Sequence, residues 1–504
     1  MEVTVITNIR RKVLTMLSKM AYDGNLPDHV YDILQIVNEN TPRTRCCVHK
    51  ERAVLKERIC VALGVDTDMN IIEAANRAIS EPVDRTQHVI AVLPEGCSAC
   101  PVNKYMITDV CRRCLTHRCM NGCPKKAISV YQGRAHIDYD MCVECGNCKR
   151  ACPYGAVVEI ARPCENACKV HALHTGVNKK AEIDKNICVE CGACRGACPF
   201  GAIEERSHIV QLIQAIKSGQ EVVALLAPSF VGQFGLKVHP GQIVKACQEL
   251  GFASVKEVAL GADMTTISEA EEFLEKVPTG KQKVMTSSCC PAFVATVKRH
   301  APELADCISD AVSPMVARSK LEKYKHPGAL TCFIGPCIAK KVEAREHPDE
   351  IDFVLTFEEL KCMMDSQDID PAKCEEAPFH AASSADGCSF PQAAGVSNAV
   401  KDYVRDNHPE VDVDSLKSLY CNGLDECLQA LKDVEAGKLD IQYLEGMACQ
   451  KGCLNGPGAL TEPGLTRVLL KRFADTTQAD SAGKIEQAMD GVKNVDMERV
   501  YLRK

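Results

Sequence analysis

Three patterns of apolar spacing follow one another along the chain. Over residues 1–90 apolar side chains recur at helical intervals, as in Val13–Met20 and Val30–Val37, which predicts a mostly helical N-terminal region. Residues 91–206 have too little apolar sequence for an ordinary core and are rich in Gly, Pro and Cys. Residues 207–504 alternate short apolar runs (Val222–Ala227, Ala329–Ile334, Asp352–Thr356) with helical patterns such as Ile243–Leu250. That alternation predicts an α/β domain with parallel strands. In such sheets functional groups gather beyond the carboxyl ends of the strands.

Composition changes this picture at one point. The chain has 504 residues, 46% hydrophobic and 25% charged, with a net charge of −7, so it gives no basic footprint for nucleic acid. Cysteine, with 32 residues, is the outlier. Disulfide scaffolds are usually short, and these cysteines cluster at metal-ligand spacings. The N-terminus MEVTVITNIRRKV lacks a basic stretch followed by an apolar one, and no run of about 18 apolar residues occurs. A soluble protein of a reducing cytoplasm, with no membrane partner, is expected.

Sixteen cysteines fall within 91–206, where metal clusters must supply much of the folding free energy. CVECGNCKRACP (142–153) and CVECGACRGACP (188–199) both fit C-x2-C-x2-C-x3-C-P. Three closely spaced thiolates grip one [4Fe–4S] cube and the fourth reaches the other cube. This places Cys142, Cys145, Cys148 and Cys198 on one cluster, and Cys188, Cys191, Cys194 and Cys152 on a second. Paired CxxC units can also hold zinc, but zinc needs neither the third cysteine nor the following proline. Eight more thiols surround this pair and suffice for two further cubes. The expected sets are Cys111, Cys114, Cys119 with Cys168, and Cys97, Cys100, Cys164 with Cys123. A zinc site or a single cluster is the alternative. The ferredoxin-like segment (138–206) would then be inserted between the halves of a second cysteine-rich unit (91–170).

The C-terminal region carries TSSCCPAF (286–293), GPCIAKKVE (335–343) and EGMACQKGC (445–453). These resemble the three signature motifs of [FeFe]-hydrogenases, TSCCPxW, MPCxxKxxE and ExMACxxGCxxGGG, and the resemblance covers about residues 140–470. It implies a catalytic domain of two lobes with parallel sheets around an H-cluster, beside an α+β ferredoxin-like Fe–S domain and the helical N-terminal region. It implies that Cys290, Cys337, Cys449 and Cys453 hold a [4Fe–4S] cube, Cys453 bridging to a diiron unit with CO, cyanide and azadithiolate ligands. Cys289 matches the proton-relay thiol; by itself it would read as a small buried hydrophobe. Glu269, Glu272 and Ser309 match the rest of the proton route, although Glu269 alone would read as a capping box with Thr266. Lys340 matches the lysine that bonds a cyanide. Ala227, Pro228 and Ser229 match the loop beside the second cyanide, and Met447 a methionine packing on the cofactor.

The departures are Gly335 for methionine, Phe293 for tryptophan, Met315 for a frequent glutamine, and GCLNGPG in the last motif; they suggest a divergent branch resembling group B. The resemblance implies reversible reduction of protons to H2, with ferredoxin or a similar low-potential carrier as partner and maturation proteins to install the diiron unit. An H2-sensing relative or a non-catalytic Fe–S scaffold are the alternatives, and a flavin- and nicotinamide-linked complex would need partner subunits, because no G-x-G-x-x-G fingerprint is present. Cys46, Cys47 and Cys60, and eight cysteines from Cys247 to Cys427, match no ligand spacing and are expected to be ordinary thiols.

Overall fold

The computed structural model describes residues 4–38, 44–98, 100, 103–378, 383–477 and 481–499. The first helix, Val5–Asp23, begins where the Thr4 hydroxyl accepts the Thr7 N–H at 3.2 Å. It stops at Gly24, whose φ of 76° closes the helix in the left-handed region that glycine adopts without strain. Val13, Leu14, Leu17 and Ala21 form its buried stripe. They join the same apolar core as Ile209, Leu212 and the central strand Val222–Leu226. Arg10 and Arg11 both bond the buried Glu358 carboxylate, at 3.0 and 2.9 Å. The N-terminal helices are therefore packed into the C-terminal domain rather than forming a body of their own. Val30–Ile36, expected as part of a regular α-helix, is a 3-10 helix.

Eight short strands cover the cysteine-rich region: β1 (Ile90–Val92), β2 (Tyr105–Ile107), β3 (Ile128–Tyr131), β4 (Arg134–Ile137), β5 (Val157–Glu159), β6 (Leu173–Thr175), β7 (Ala181–Ile183) and β8 (Ile203–Glu205). All pairings are antiparallel: β2 with β5, β3 with β4, β6 with β7, and β1 with β8. This corrects the expected arrangement. The inner unit closes on itself between β2 and β5, and the outer unit is split around it, β1 returning to β8. The repeat at 142–153 belongs to the inner unit and the repeat at 188–199 to the outer one. Each unit has one hairpin, β3–β4 or β6–β7, and a hairpin alone buries too little apolar surface to stand, so the two halves of each unit also pair with each other through β2–β5 or β1–β8.

Seven strands follow: β9 (Val222–Leu226), β10 (Ser254–Glu257), β11 (Met285–Thr286), β12 (Leu330–Gly335), β13 (Phe353–Thr356), β14 (Ser418–Asn422) and β15 (Tyr443–Met447). They form two wholly parallel sheets, ordered β10-β9-β12-β13 and β11-β15-β14. β9 is buried at all five positions, which explains its unbroken VVALL sequence. Each of the motif-bearing segments leaves the carboxyl end of a strand. Ala227–Ser229 follows β9, Ser287–Cys290 follows β11, Pro336–Cys337 follows β12, and Ala448–Cys453 follows β15. Two segments come from each sheet, so the site lies where the sheets' carboxyl ends meet.

Candidate active site

These four segments line one apolar cavity. Its wall brings together Cys289, Cys290, Cys337, Cys453, Lys340, Met447 and the Ala227-Pro228-Ser229 loop, all expected from the sequence. Cys449 stands within electrostatic reach of Cys337, Cys290 and Cys453. Burial beside Cys290 pushes the Cys337 thiol up to about 12. Burial also raises the Cys449 and Cys453 thiols, so loading these half-buried groups with metal must expel protons.

The polar groups of the wall fit a compact anionic group. Ser229, 1% exposed, has a buried Oγ without a hydrogen-bond partner, on the loop that lines the cavity. The Lys340 ammonium is held by Glu343 at 2.6 Å, donates to Ser313 Oγ at 2.9 Å and to the Cys289 carbonyl at 3.2 Å. Glu343 is paired in turn with Arg499 at 2.7 Å, so the lysine's position is fixed from behind. Neither Glu343 nor Arg499 was assigned from the sequence. Glu343 ends the second motif and could have been found there, whereas Arg499 is brought in by the fold from outside every motif.

Two departures from the signature motifs acquire a physical reason. A Cβ on Gly335 would lie 2.6 Å from the Phe333 ring and 3.0 Å from the Ala227 Cβ. Phe333 lines the cavity and fills the space that a side chain at 335 would take. A Cβ on Gly446 would lie 2.2 Å from the ring of Phe293, which is fully buried. Met315 also lines the cavity.

Behind Cys289 lies a line of acids. Glu269 is fully buried and accepts the Ser288 N–H at 3.1 Å. Burial, reinforced by the Glu272 charge, raises its carboxyl to about 8. Burial next to Glu269 and Cys290 pushes the Cys289 thiol far above its ordinary range, so it stays protonated. Glu272 accepts from Ser309 Oγ at 2.5 Å and from the Asp310 N–H at 3.0 Å, and Lys276 pairs with it at 2.6 Å where it reaches the surface. Tyr443 and Glu445, unassigned from the sequence, complete this environment. Tyr443 lies beside Glu269, and burial raises the Glu445 carboxyl to about 7.

The sixteen accessory thiols fall into four quartets, and the fourth member of each differs from the expected one. Cys164 is raised to about 11 by burial and then by Cys198, Cys100 and Cys97. Cys194 is raised by burial and then by Cys191, Cys188 and Cys168, with Cys164 next. Cys119 feels Cys152 and Cys114, and it packs against the same small core as Cys111. Cys123 shares one small cavity with Cys142, Cys145 and Cys148. Cys198, Cys152, Cys168 and Cys123 thus all change partners. The crossing of the fourth thiol holds, but inside each nested unit, because antiparallel pairing joins the halves of one unit. Among the described residues no group of three or more His, Cys, Asp or Glu side chains converges tightly enough for a single metal ion. A cube takes its thiolates at wider spacing.

The quartets adjoin in sequence. Cys191 lies within electrostatic reach of Cys290 and of Cys449, and Cys194 of Cys164. The catalytic-type thiols therefore neighbour the Cys168 quartet, which neighbours the Cys198 quartet. Among the described residues no helix is long and apolar enough to cross a membrane.

Comparison with known proteins agrees with this division. Residues 220–457 match the family "Iron only hydrogenase large subunit, C-terminal domain", and residues 135–158 and 181–204 match "4Fe-4S binding domain". Iron hydrogenase 1 of Clostridium pasteurianum is 26% identical over 303 residues, half of this chain and 53% of its own length. The chain thus spans about half of that relative. The periplasmic [Fe] hydrogenase large subunit of Nitratidesulfovibrio vulgaris is 29% identical over 385 residues, 66% of this chain and 88% of its own length. A probable cytosolic Fe-S cluster assembly factor of Culex quinquefasciatus is 26% identical over 265 residues, 43% of this chain and 55% of its own length. With its thiol-lined cavity inside the matched hydrogenase segment and its cysteine repeats inside the matched 4Fe-4S segments, this chain is an [FeFe]-hydrogenase-like protein.

Proposed function

We propose that the chain is a hydrogenase that interconverts two protons and two electrons with H2, with ferredoxin or a similar low-potential carrier as partner. The observation that carries this reading is the cavity wall. Cys290, Cys337 and Cys453 meet there beside a protonated Cys289, a positioned Lys340 and the orphaned Ser229 hydroxyl. Cys290, Cys337, Cys449 and Cys453 would hold a [4Fe–4S] cube linked through Cys453 to a diiron unit, and Lys340 and the Ser229 loop would bond its anionic ligands. When bound, that cofactor supplies the open metal position and the electrons for H2 chemistry.

The chain's own residues move and guard protons. Glu272 takes up protons at the surface, and Ser309 connects it to the buried side. Glu269 carries a proton near neutral pH because burial disfavours its charged form. Cys289 presents a neutral thiol at the cavity and receives a proton again from Glu269 after releasing one. The apolar wall excludes water, so protons reach the cavity through this line. Each accessory quartet would hold one [4Fe–4S] cluster, and the order of adjoining quartets suits a relay. Thirty-two cysteines fit a reducing compartment such as the cytoplasm.

A non-catalytic Fe–S assembly role is the second reading, favoured by the match to the Culex assembly factor. The retained Cys289, Glu269 and Lys340 favour the enzyme, because a scaffold has no use for a proton line. Infrared spectroscopy on protein expressed with diiron maturation proteins, alongside H2 evolution from a reduced dye, separates the two. CO and cyanide bands with H2 evolution are expected; sixteen or more irons without those bands would establish the scaffold.

A further inference from the structure

The inner cysteine unit differs from the rest of the surface in two independent ways. The chain has a net charge of −7, yet the loop 111–126 carries Arg112, Arg113, Arg118, Lys125 and Lys126 and no acid. All five are exposed and none is in an ion pair among the described residues. Of the unit's other cations, Arg134 pairs with Asp109, Lys104 and Lys149 share Glu159 at 3.3 and 2.8 Å, and Arg150 bonds the Asn147 side chain. The same unit also displays apolar surface. Among the described residues, nine of the nineteen exposed large apolar side chains lie within residues 105–159. Leu115, between the thiols Cys114 and Cys119, is 94% exposed, and Val110, Tyr131, Val143 and Tyr154 are more than half exposed.

Unpaired cations around exposed apolar side chains are the composition of a protein-docking patch, apolar at its centre and charged at its rim. The patch surrounds thiols that themselves reach the surface: Cys145 is exposed, and Cys114 accepts the Thr116 hydroxyl at 3.6 Å in solvent.

We propose that loop 111–126 and the apolar side chains beside it are the docking surface for a small, acidic, one-electron carrier protein. The assignment rests on the hydrogenase reading. Each encounter passes one electron from the reduced carrier, which is oxidised, to a cluster of the inner unit, which is reduced. Two encounters accompany the conversion of two protons into one H2. The encounter is transient and strengthened at low ionic strength, because exposed charges steer it.

The test uses an acidic bacterial 2[4Fe–4S] ferredoxin as probe and the cluster-loaded full chain. Calorimetric Kd and the KM for that ferredoxin in H2 evolution are measured for wild type, for the fivefold reversal to Glu, for the fivefold neutral change to Gln, and for a control, Lys237→Glu/Lys283→Glu. The expected result is at least tenfold weakening of Kd and KM in the reversal, and a smaller weakening in the Gln variant, which also guards against misfolding of the reversal. Dye-driven H2 evolution should stay unchanged. Weakening no greater than in the control overturns the surface assignment, as does tight binding of a DNA oligonucleotide with none of the ferredoxin. Loss of dye-driven H2 in wild type strikes the hydrogenase reading instead, while the Kd values still decide the surface.

Discussion

Replacing Glu269 by Gln tests the proton line at its most perturbed member. The native carboxyl sits near 8 against an ordinary 4.5, with burial as the main cause. Below about pH 4.5 the group is protonated in both folded and unfolded chains and pH has no leverage. Between about 4.5 and 8 the unfolded chain releases this proton and the folded chain keeps it, so stability falls as pH rises. Each pH unit inside the window costs about 1.4 kcal/mol. From pH 5 to pH 8 the loss is roughly 3–4 kcal/mol, undiminished by solvent because Glu269 has no exposure. Gln is neutral throughout, so Glu269→Gln removes this slope. For a chain of this length about 1 kcal/mol corresponds to roughly 1 °C in Tm. The Tm of the variant relative to wild type should therefore climb by roughly 3 °C between pH 5 and pH 8, measured anaerobically on cluster-loaded protein. The other raised acids, Asp263 and Glu445, are common to both proteins and cancel. A Tm difference that stays constant with pH would refute the argument that burial keeps Glu269 protonated.

Three further outcomes are expected. Cys289→Ala should keep its iron content but lose at least about a hundredfold in H2 turnover, the usual worth of a positioned proton donor; full activity would remove Cys289 from the line. Cys198→Ser should disturb, in electron paramagnetic resonance, the cluster of Cys97, Cys100 and Cys164 and leave that of Cys142, Cys145 and Cys148 intact; the opposite pattern would restore the pairing first expected from the repeats. Gly335→Met should destabilise by about 1–3 kcal/mol through collision with Phe333. Phe333→Ala added to it should recover part of that loss, and strictly additive melting shifts would show that the two positions do not share space.

Much of the chemistry was legible in the chain itself. Ligand spacing is a local property, since neighbouring thiols must reach adjacent corners of one cube, so the cysteines of both repeats and of the three motifs could be named without a fold. Local spacing also made β9, β12 and β13 readable, because strands of a buried parallel sheet are apolar throughout. Partnership between distant segments was not readable. Which fourth cysteine completes each quartet depends on which halves pair as antiparallel strands, and identical motifs give no preference; β2–β5 and β1–β8 pairing decided it. The same holds for Arg499 behind Glu343, for Tyr443 on Glu269, and for Phe333 in the space of a side chain at 335. The sequence by itself determined which cysteines are candidates for metal chemistry, because that follows from residue type and short spacing, and the resemblance to the signature motifs named the candidates for proton chemistry. Only the tertiary structure decided how they are grouped and how far each acid is perturbed, because burial and proximity arise when segments far apart in the chain pack together.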